Sequence, residues 1–156
     1  MMVTQIDAGP RKVSRSADVR APAQELFAVI ADPHRHGELD GSGTVKDTMK
    51  GPRRLSQDAR FSVNMKQYGV PYRITSRVTQ YVTDRVAEWQ HPLGHRWRWE
   101  LAPQPDGTTR VTETFDYSTV PGLQAKALEL FGVPKRNAAG IEATLNQLQL
   151  QQQHAG

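Results

Sequence analysis

The sequence predicts an α+β domain in which a curved antiparallel sheet of seven strands wraps around one long, kinked terminal helix, with two short helices after the first strand. Three observations predict it. From Val45 to Ser118 the chain repeatedly alternates apolar or aromatic residues with charged or hydroxylated ones, the period-two pattern of strands with one dry and one wet face. Short turns rich in glycine and proline punctuate those stretches, so neighbouring strands pair antiparallel. After Pro121-Gly122 the apolar spacing lengthens to three and four residues, the period of a helix.

The elements follow in order. Residues 1–11 read as a loose leader, 12–150 as one domain and 151–156 as a frayed tail. Val13 to Arg20 reads as the first strand, with Val13, Arg15, Ala17 and Val19 on one side. Pro22 occupies the first turn of a helix, where its missing N–H costs nothing, and Leu26, Phe27, Val29 and Ile30 supply the buried stripe. Asp32-Pro33 starts one more short turn, which ends in a loop through Gly37 and Asp40-Gly41-Ser42-Gly43. Strands are then expected near Val45–Met49, Ala59–Tyr68, Tyr72–Val82, Arg85–His91, Arg96–Ala102 and Thr109–Ser118. In the terminal helix, Leu123, Ala127, Leu130 and Phe131 form one stripe and Ala138, Ile141, Leu145 and Leu148 another. Gly132-Val133-Pro134 between them marks a kink.

All three tryptophans lie between Asp84 and Tyr117, and alternation points Trp97 and Trp99 the same way. Seven strands at a spacing of about 4.8 Å make a sheet over about 30 Å wide if laid flat. A helix with its side chains is only about 10–12 Å across. The sheet must therefore curl, and the concave volume is either filled by side chains or left as a pocket. The dry faces offer Phe61, Val63, Met65, Tyr72, Ile74, Val78, Trp89, Trp97, Trp99, Phe115 and Tyr117 as its lining. A pocket of aromatic and apolar groups with a few polar ones is the usual form of a small-molecule site.

Composition sets the limits. A chain of 156 residues buries a full core without staples, and the absence of cysteine excludes disulfides and thiolate zinc sites. No apolar run spans a bilayer, the start carries no secretion signal, and a cytoplasmic protein without stable membrane insertion is the default. A net charge of +4 raises the question of nucleic acid, but the cations are scattered along the chain and the expectation is no nucleic-acid partner. No motif calls for a cofactor or a metal. Asp32 to Asp40 superficially resembles a calcium loop, yet histidines stand at two ligand positions and Gly43 where a bidentate glutamate belongs. It reads as a capped turn followed by a polar loop, placed where it could also guard a cavity entrance. No nucleophile elbow or phosphate-cradling loop is present.

This order of elements resembles the helix-grip fold of the START-related superfamily, whose members include pollen-allergen-like and polyketide cyclase/dehydrase proteins. The resemblance runs through nearly the whole chain. It rests on Ala21-Pro22-Ala23-Gln24-Glu25-Leu26-Phe27 leading to Ile30-Ala31-Asp32-Pro33, on Ala87-Glu88-Trp89, on Gly107-Thr108-Thr109-Arg110-Val111-Thr112, and on Thr144-Leu145-Asn146-Gln147-Leu148. It implies a cavity between the curved sheet and the terminal helix that binds lipids, sterols, polyketides or other hydrophobic molecules. Only some members of the superfamily catalyse a reaction.

Three readings follow. The leading one is binding or transport of a small hydrophobic ligand, lined by Phe61, Met65, Tyr72, Ile74, Trp89, Trp97, Trp99, Phe115, Tyr117 and Phe131. The second is an enzyme of polyketide cyclase or dehydrase type in the same cavity. Its candidate proton-moving groups are His95, which flanks the His91-Pro92-Leu93-Gly94 turn on the tryptophan face, and Glu113, which alternates with Val111 and Phe115 and so points inward. A buried carboxylate needs a partner, for which Tyr72, Tyr117 and His95 are the candidates. The third is a protein-interaction module similar to the chaperone activators that share the fold, with a filled interior and an exposed apolar patch.

Overall fold

The computed structural model describes residues 3–35, 45–50, 54–67 and 69–155, apart from the side chains of 34, 45–50, 63–67 and 152–155. Among the described residues it shows one eight-stranded antiparallel sheet and three α-helices. The strands are β1 (Thr4–Ile6), β2 (Lys12–Val19), β3 (Val45–Lys50), β4 (Arg60–Gln67), β5 (Val70–Val82), β6 (Val86–Gln90), β7 (Arg96–Pro103) and β8 (Thr109–Asp116). Their order across the sheet is β1-β2-β8-β7-β6-β5-β4-β3. From β3 to β8 each strand pairs with the next in sequence, as short turns require. Among the described residues the long-range pairing is between β2 and β8, which sets the start of the domain beside the end of its meander.

Of the connection between β2 and β3, the described residues form α1 (Ala23–Ile30) and a 3-10 turn, Pro33–Arg35. Pro22 stands at the N-cap of α1, and Leu26, Phe27 and Ile30 are fully buried. Phe27 meets Tyr81 of β5 edge-on, with ring centroids 5.4 Å apart. Thr109 Oγ1 donates to the Ala21 carbonyl at 2.7 Å, fastening the strand-to-helix corner to β8. Register shifts between β3 and β4, and between Val78 and Gln80 where β5 meets β6, are the irregularities that let a sheet bend.

The terminal helix is two helices, α2 (Gly122–Leu130) and α3 (Val133–Ala155), where a single kinked helix is expected from the sequence. Gly132 causes the break: its φ is +74°, in the left-handed region. Its N–H donates to the Glu129 carbonyl at 3.1 Å, closing α2 in the manner of a glycine helix stop. Pro134 then lies in the first turn of α3, where its missing N–H breaks no helical bond. A Cβ on Gly132 meets no atom within 4 Å, so substitution costs only backbone strain. Gly132→Ala is expected to lower stability by about 1 kcal/mol, read as a shift in the urea midpoint.

Helix α3 packs into the concave side of the sheet through Ile141, Leu145 and Leu148, each at most 1% exposed. Two further expectations are corrected. Residues Thr4–Ile6 of the supposed leader form β1, which pairs with Ser14 to Ser16 of β2; three residues are too few to show alternation. The supposed tail is helical as far as Ala155, and just before it Gln149 is buried, its Nε2 donating to the Asp18 carbonyl of β2 at 3.1 Å. On the outer face, Arg98 bridges Glu88 at 3.2 Å and also bonds Glu100 and Gln80, the solvated charge ladder that alternation predicts.

Candidate functional site

Strand register lays out the concave face as rows. Val13, Phe115, Trp97, Trp89 and Val78 face one another across β2, β8, β7, β6 and β5. One pleat further on the row reads Arg15, Glu113, Trp99, Ala87 and Tyr81. Beyond β5, Phe61 pairs with Ser76, Val63 with Ile74 and Met65 with Tyr72, so these share the face by register. Directly opposite residues in an antiparallel pair have touching side chains, so each row is a continuous strip.

The rows differ in what they leave reachable. Trp99 is 2% exposed and Phe115 1%, and both are core. Trp97 is only partly buried and packs against that core, its ring centroid 5.0 Å from Phe115. Phe61 and Trp89 meet edge-on at 5.5 Å. Ile74 is half-buried and Tyr72 37% exposed, towards the open side of the sheet. Tyr117 is buried and stacks on Phe115. Phe131 stands apart: it follows α2, is 74% exposed and lies outside the aromatic interior in which the sequence places it. Helical spacing alone cannot tell which side of α2 turns to the core. The side chains of Met65 and Val63 and most of the Asp32–Asp40 loop lie outside the described residues.

His91 and His95 stack at 4.2 Å across the β6–β7 turn, and His95 also abuts Phe115 at 5.1 Å. The turn is held by mutual backbone bonds, His91 N–H to the His95 carbonyl at 2.8 Å and Gly94 N–H to the His91 carbonyl at 2.9 Å. Burial, and then the neighbouring His91, push His95 down to about 3. Burial lowers His91 as well. His95 is therefore neutral at physiological pH, and a base this weak is poorly matched to proton transfer near neutrality. Its Nδ1 is buried with no hydrogen-bond partner among the described residues.

Glu113 points inward as expected and is 7% exposed. On register its neighbours are Trp99 on one side and Arg15 on the other, rather than the tyrosines or His95. Arg15 is the site residue that sequence reasoning passes over. It counts there among scattered surface cations, although it alternates with Val13, Ala17 and Val19 and so carries the signal of an inward charge. Its side chain is 13% exposed, its Nε donates to Glu142 of α3 at 3.0 Å, and its NH1 donates to the Ser14 carbonyl at 2.9 Å. The concave face therefore holds an ionic group at the sheet–helix seam beside its aromatic rows.

Two open grooves adjoin this arrangement. One, of about 360 Å³, runs between β1–β2 and the first turns of α3 and is lined by Val13, Arg15, Pro134, Lys135 and Ala138 among others. It reaches the residues that head both rows. The other, of about 550 Å³, lies outside the rows, between the Arg20–Pro22 corner and the Asp106–Thr108 turn. Helix α2 is tied back through its Glu129: Tyr117 Oη donates to that carboxylate at 3.0 Å, and Arg11 approaches it at 3.7 Å. Burial and Glu129 together raise the Tyr117 phenol above its usual value. No helix among the described residues is long and apolar enough to cross a membrane.

Comparison with known proteins agrees with this geometry. The family model described as polyketide cyclase / dehydrase and lipid transport matches residues 10–151. The uncharacterised protein Rv0088 of Mycobacterium tuberculosis is 56% identical over 150 residues, 95% of this chain and 67% of that protein. Among solved structures, protein Ms6760 of Mycobacterium smegmatis superposes with a TM-score of 0.72 at 16% identity, over 100% of this chain and 99% of that one. A Rhodobacter sphaeroides protein reaches 0.76 at 12% identity, over 99% and 100%. At such identities the structural likeness establishes the fold.

Proposed function

The chain belongs to the polyketide cyclase/dehydrase and lipid transport family, and on that premise we propose that it binds a small hydrophobic molecule, lipid- or polyketide-like, on the concave face between sheet and terminal helix. The observation that carries this reading is the half-buried Trp97, set in a row of core aromatics beside the unpartnered Nδ1 of His95. An aromatic wall with one reachable ring and one buried polar atom suits a ligand that is mostly apolar and carries a hydroxyl or carbonyl. Burial of the ligand's apolar surface supplies most of the affinity, roughly 25 cal/mol per Å² before ordering costs. The groove past Val13 and Arg15 gives access from the sheet edge. Arg15, held by Glu142, and Glu113 set polarity at that side of the site.

His95 orients the ligand in this reading and does not move a proton. That favours a binding or carrier role over the cyclase or dehydrase reading, in which Glu113 is the remaining candidate base.

Titration of the purified protein with a panel of fatty acids, sterols and aromatic polyketides tests the proposal through tryptophan fluorescence. A saturable change with at least one class, lost in Trp97→Phe, is expected. No response across the panel, together with no small molecule released on denaturation and seen by mass spectrometry, overturns it.

A further inference from the structure

Helix α2 is built inside out. It turns only Ala125, fully buried, and Leu128, partly buried, to the core, while its other large apolar residues face solvent. Leu123 is 85% exposed, Leu130 83% and Phe131, at the helix end, 74%. With the exposed Ala127 they fall at spacings of four, three and one, a single stripe on the side away from Ala125. The β6–β7 turn adds Leu93, 60% exposed, at the same end of the molecule. That turn is fastened next to the start of α2, since Thr119 Oγ1 donates to the Gly94 carbonyl at 2.8 Å. Single exposed leucines are ordinary, but a coherent stripe of three large apolar residues on one face marks a contact surface.

The charges around the stripe identify its partner. Lys126 flanks it on α2, and Lys135 and Arg136 follow in the first turn of α3; all three are exposed. Neither lysine forms an ion pair with a described residue. The helix's one acid, Glu129, is already engaged by Tyr117 and Arg11. A short convex ridge of leucine and phenylalanine rimmed by cations fits the headgroup boundary of an anionic bilayer, where apolar side chains sink below lipid phosphates that the cations meet. A protein partner fits less well: interface centres favour tryptophan, tyrosine and arginine, and leucine is under-represented among the residues that carry binding energy.

We infer that the α2 stripe, Leu123, Leu130 and Phe131 with Lys126 and Lys135, is a docking surface for an anionic lipid bilayer. The inference stands independently of the ligand reading. If both hold, docking brings the groove at Pro134 and Lys135 close to the membrane, because α3 starts two residues after Phe131.

Co-sedimentation with vesicles of equimolar phosphatidylglycerol and phosphatidylcholine, compared with phosphatidylcholine alone, tests it on the whole chain. Wild-type protein is expected to partition at least about tenfold more strongly onto the anionic vesicles and to release at high salt. The double variant Leu130→Ser/Phe131→Ser is expected to lose binding at least about tenfold at unchanged Tm, because both side chains are exposed. Lys126→Glu/Lys135→Glu is expected to abolish the preference for anionic lipid. Absence of sedimentation overturns the inference, as does binding that neither variant alters. Vesicle binding absent while light scattering shows a dimer that the Leu130/Phe131 variant disperses assigns the stripe to a second copy and equally overturns it.

Discussion

Trp99→Ala is expected to cost about 3–5 kcal/mol of stability, the usual penalty for truncating a buried aromatic and leaving a cavity behind. Trp99 is 2% exposed, opposite Glu113 on β8 and Ala87 on β6, so nothing nearby can collapse into the space without moving a strand. Trp97, two residues earlier on the same face, is expected to behave differently. It is partly buried, so Trp97→Ala sacrifices less packing, roughly half as much, while removing the reachable part of the aromatic wall. Urea unfolding of the two variants, together with titration of a fluorescent fatty-acid analogue, separates the roles. The expected pattern is a large fall in the unfolding midpoint for Trp99→Ala, and a small fall with at least tenfold weaker ligand binding for Trp97→Ala. Equal destabilisation, with Trp97→Ala still binding normally, would show that both rings only fill the core. The ligand site would then have to lie elsewhere on the concave face.

The difference between these two rings marks how far the sequence could be read. Alternation placed Trp97, Trp99, Glu113 and Phe115 on one face, and the strand pairings agree, because a one-residue slip would have thrown charges into the core. The His91–His95 stack was visible as two histidines flanking a turn. Alternation does not say how deeply a residue on the dry face is buried, because depth depends on which helix covers it. The same gap explains Phe131 and α2. Their spacing announces an amphipathic helix but not which side turns to the core, and the core takes Ala125. Arg15 was legible in principle. A lone charge at an otherwise dry alternate position is a stronger signal than its membership of a basic composition, and it led to Glu142 on a helix 127 residues away. The break at Gly132 was legible as a kink, but a left-handed glycine followed by a first-turn proline makes two helices of it.

His95 supplies the second large effect, and its sign follows from burial. In the folded protein His95 stays neutral until the pH approaches about 3, because the apolar surroundings and then His91 disfavour its cation. The unfolded chain takes up that proton near 6.5. Between those values the unfolded state holds one more proton than the native state, so stability rises with pH through the window and is lost as pH falls from about 6.5 towards 3. The limiting slope for one group is about 1.4 kcal/mol per pH unit. Water reaching the half-buried ring trims it, leaving a total on the order of a few kcal/mol. His91, also lowered by burial, acts in the same direction. Unperturbed carboxylates titrate below about pH 5, and comparison with His95→Asn isolates the histidine's own part, so the informative region is about pH 5 to 6.5. There, urea-unfolding free energies of wild type are expected to climb with pH, and those of His95→Asn to climb less steeply. The ring sits 5.1 Å from Phe115 and against His91, so a proton on it would have to be solvated by aromatic edges. If the two proteins show the same slope, water reaches His95 freely in the folded state. The apolar rim at Trp97, which depends on a dry and neutral imidazole, would then be wet, and the orienting role given to Nδ1 would fail with it.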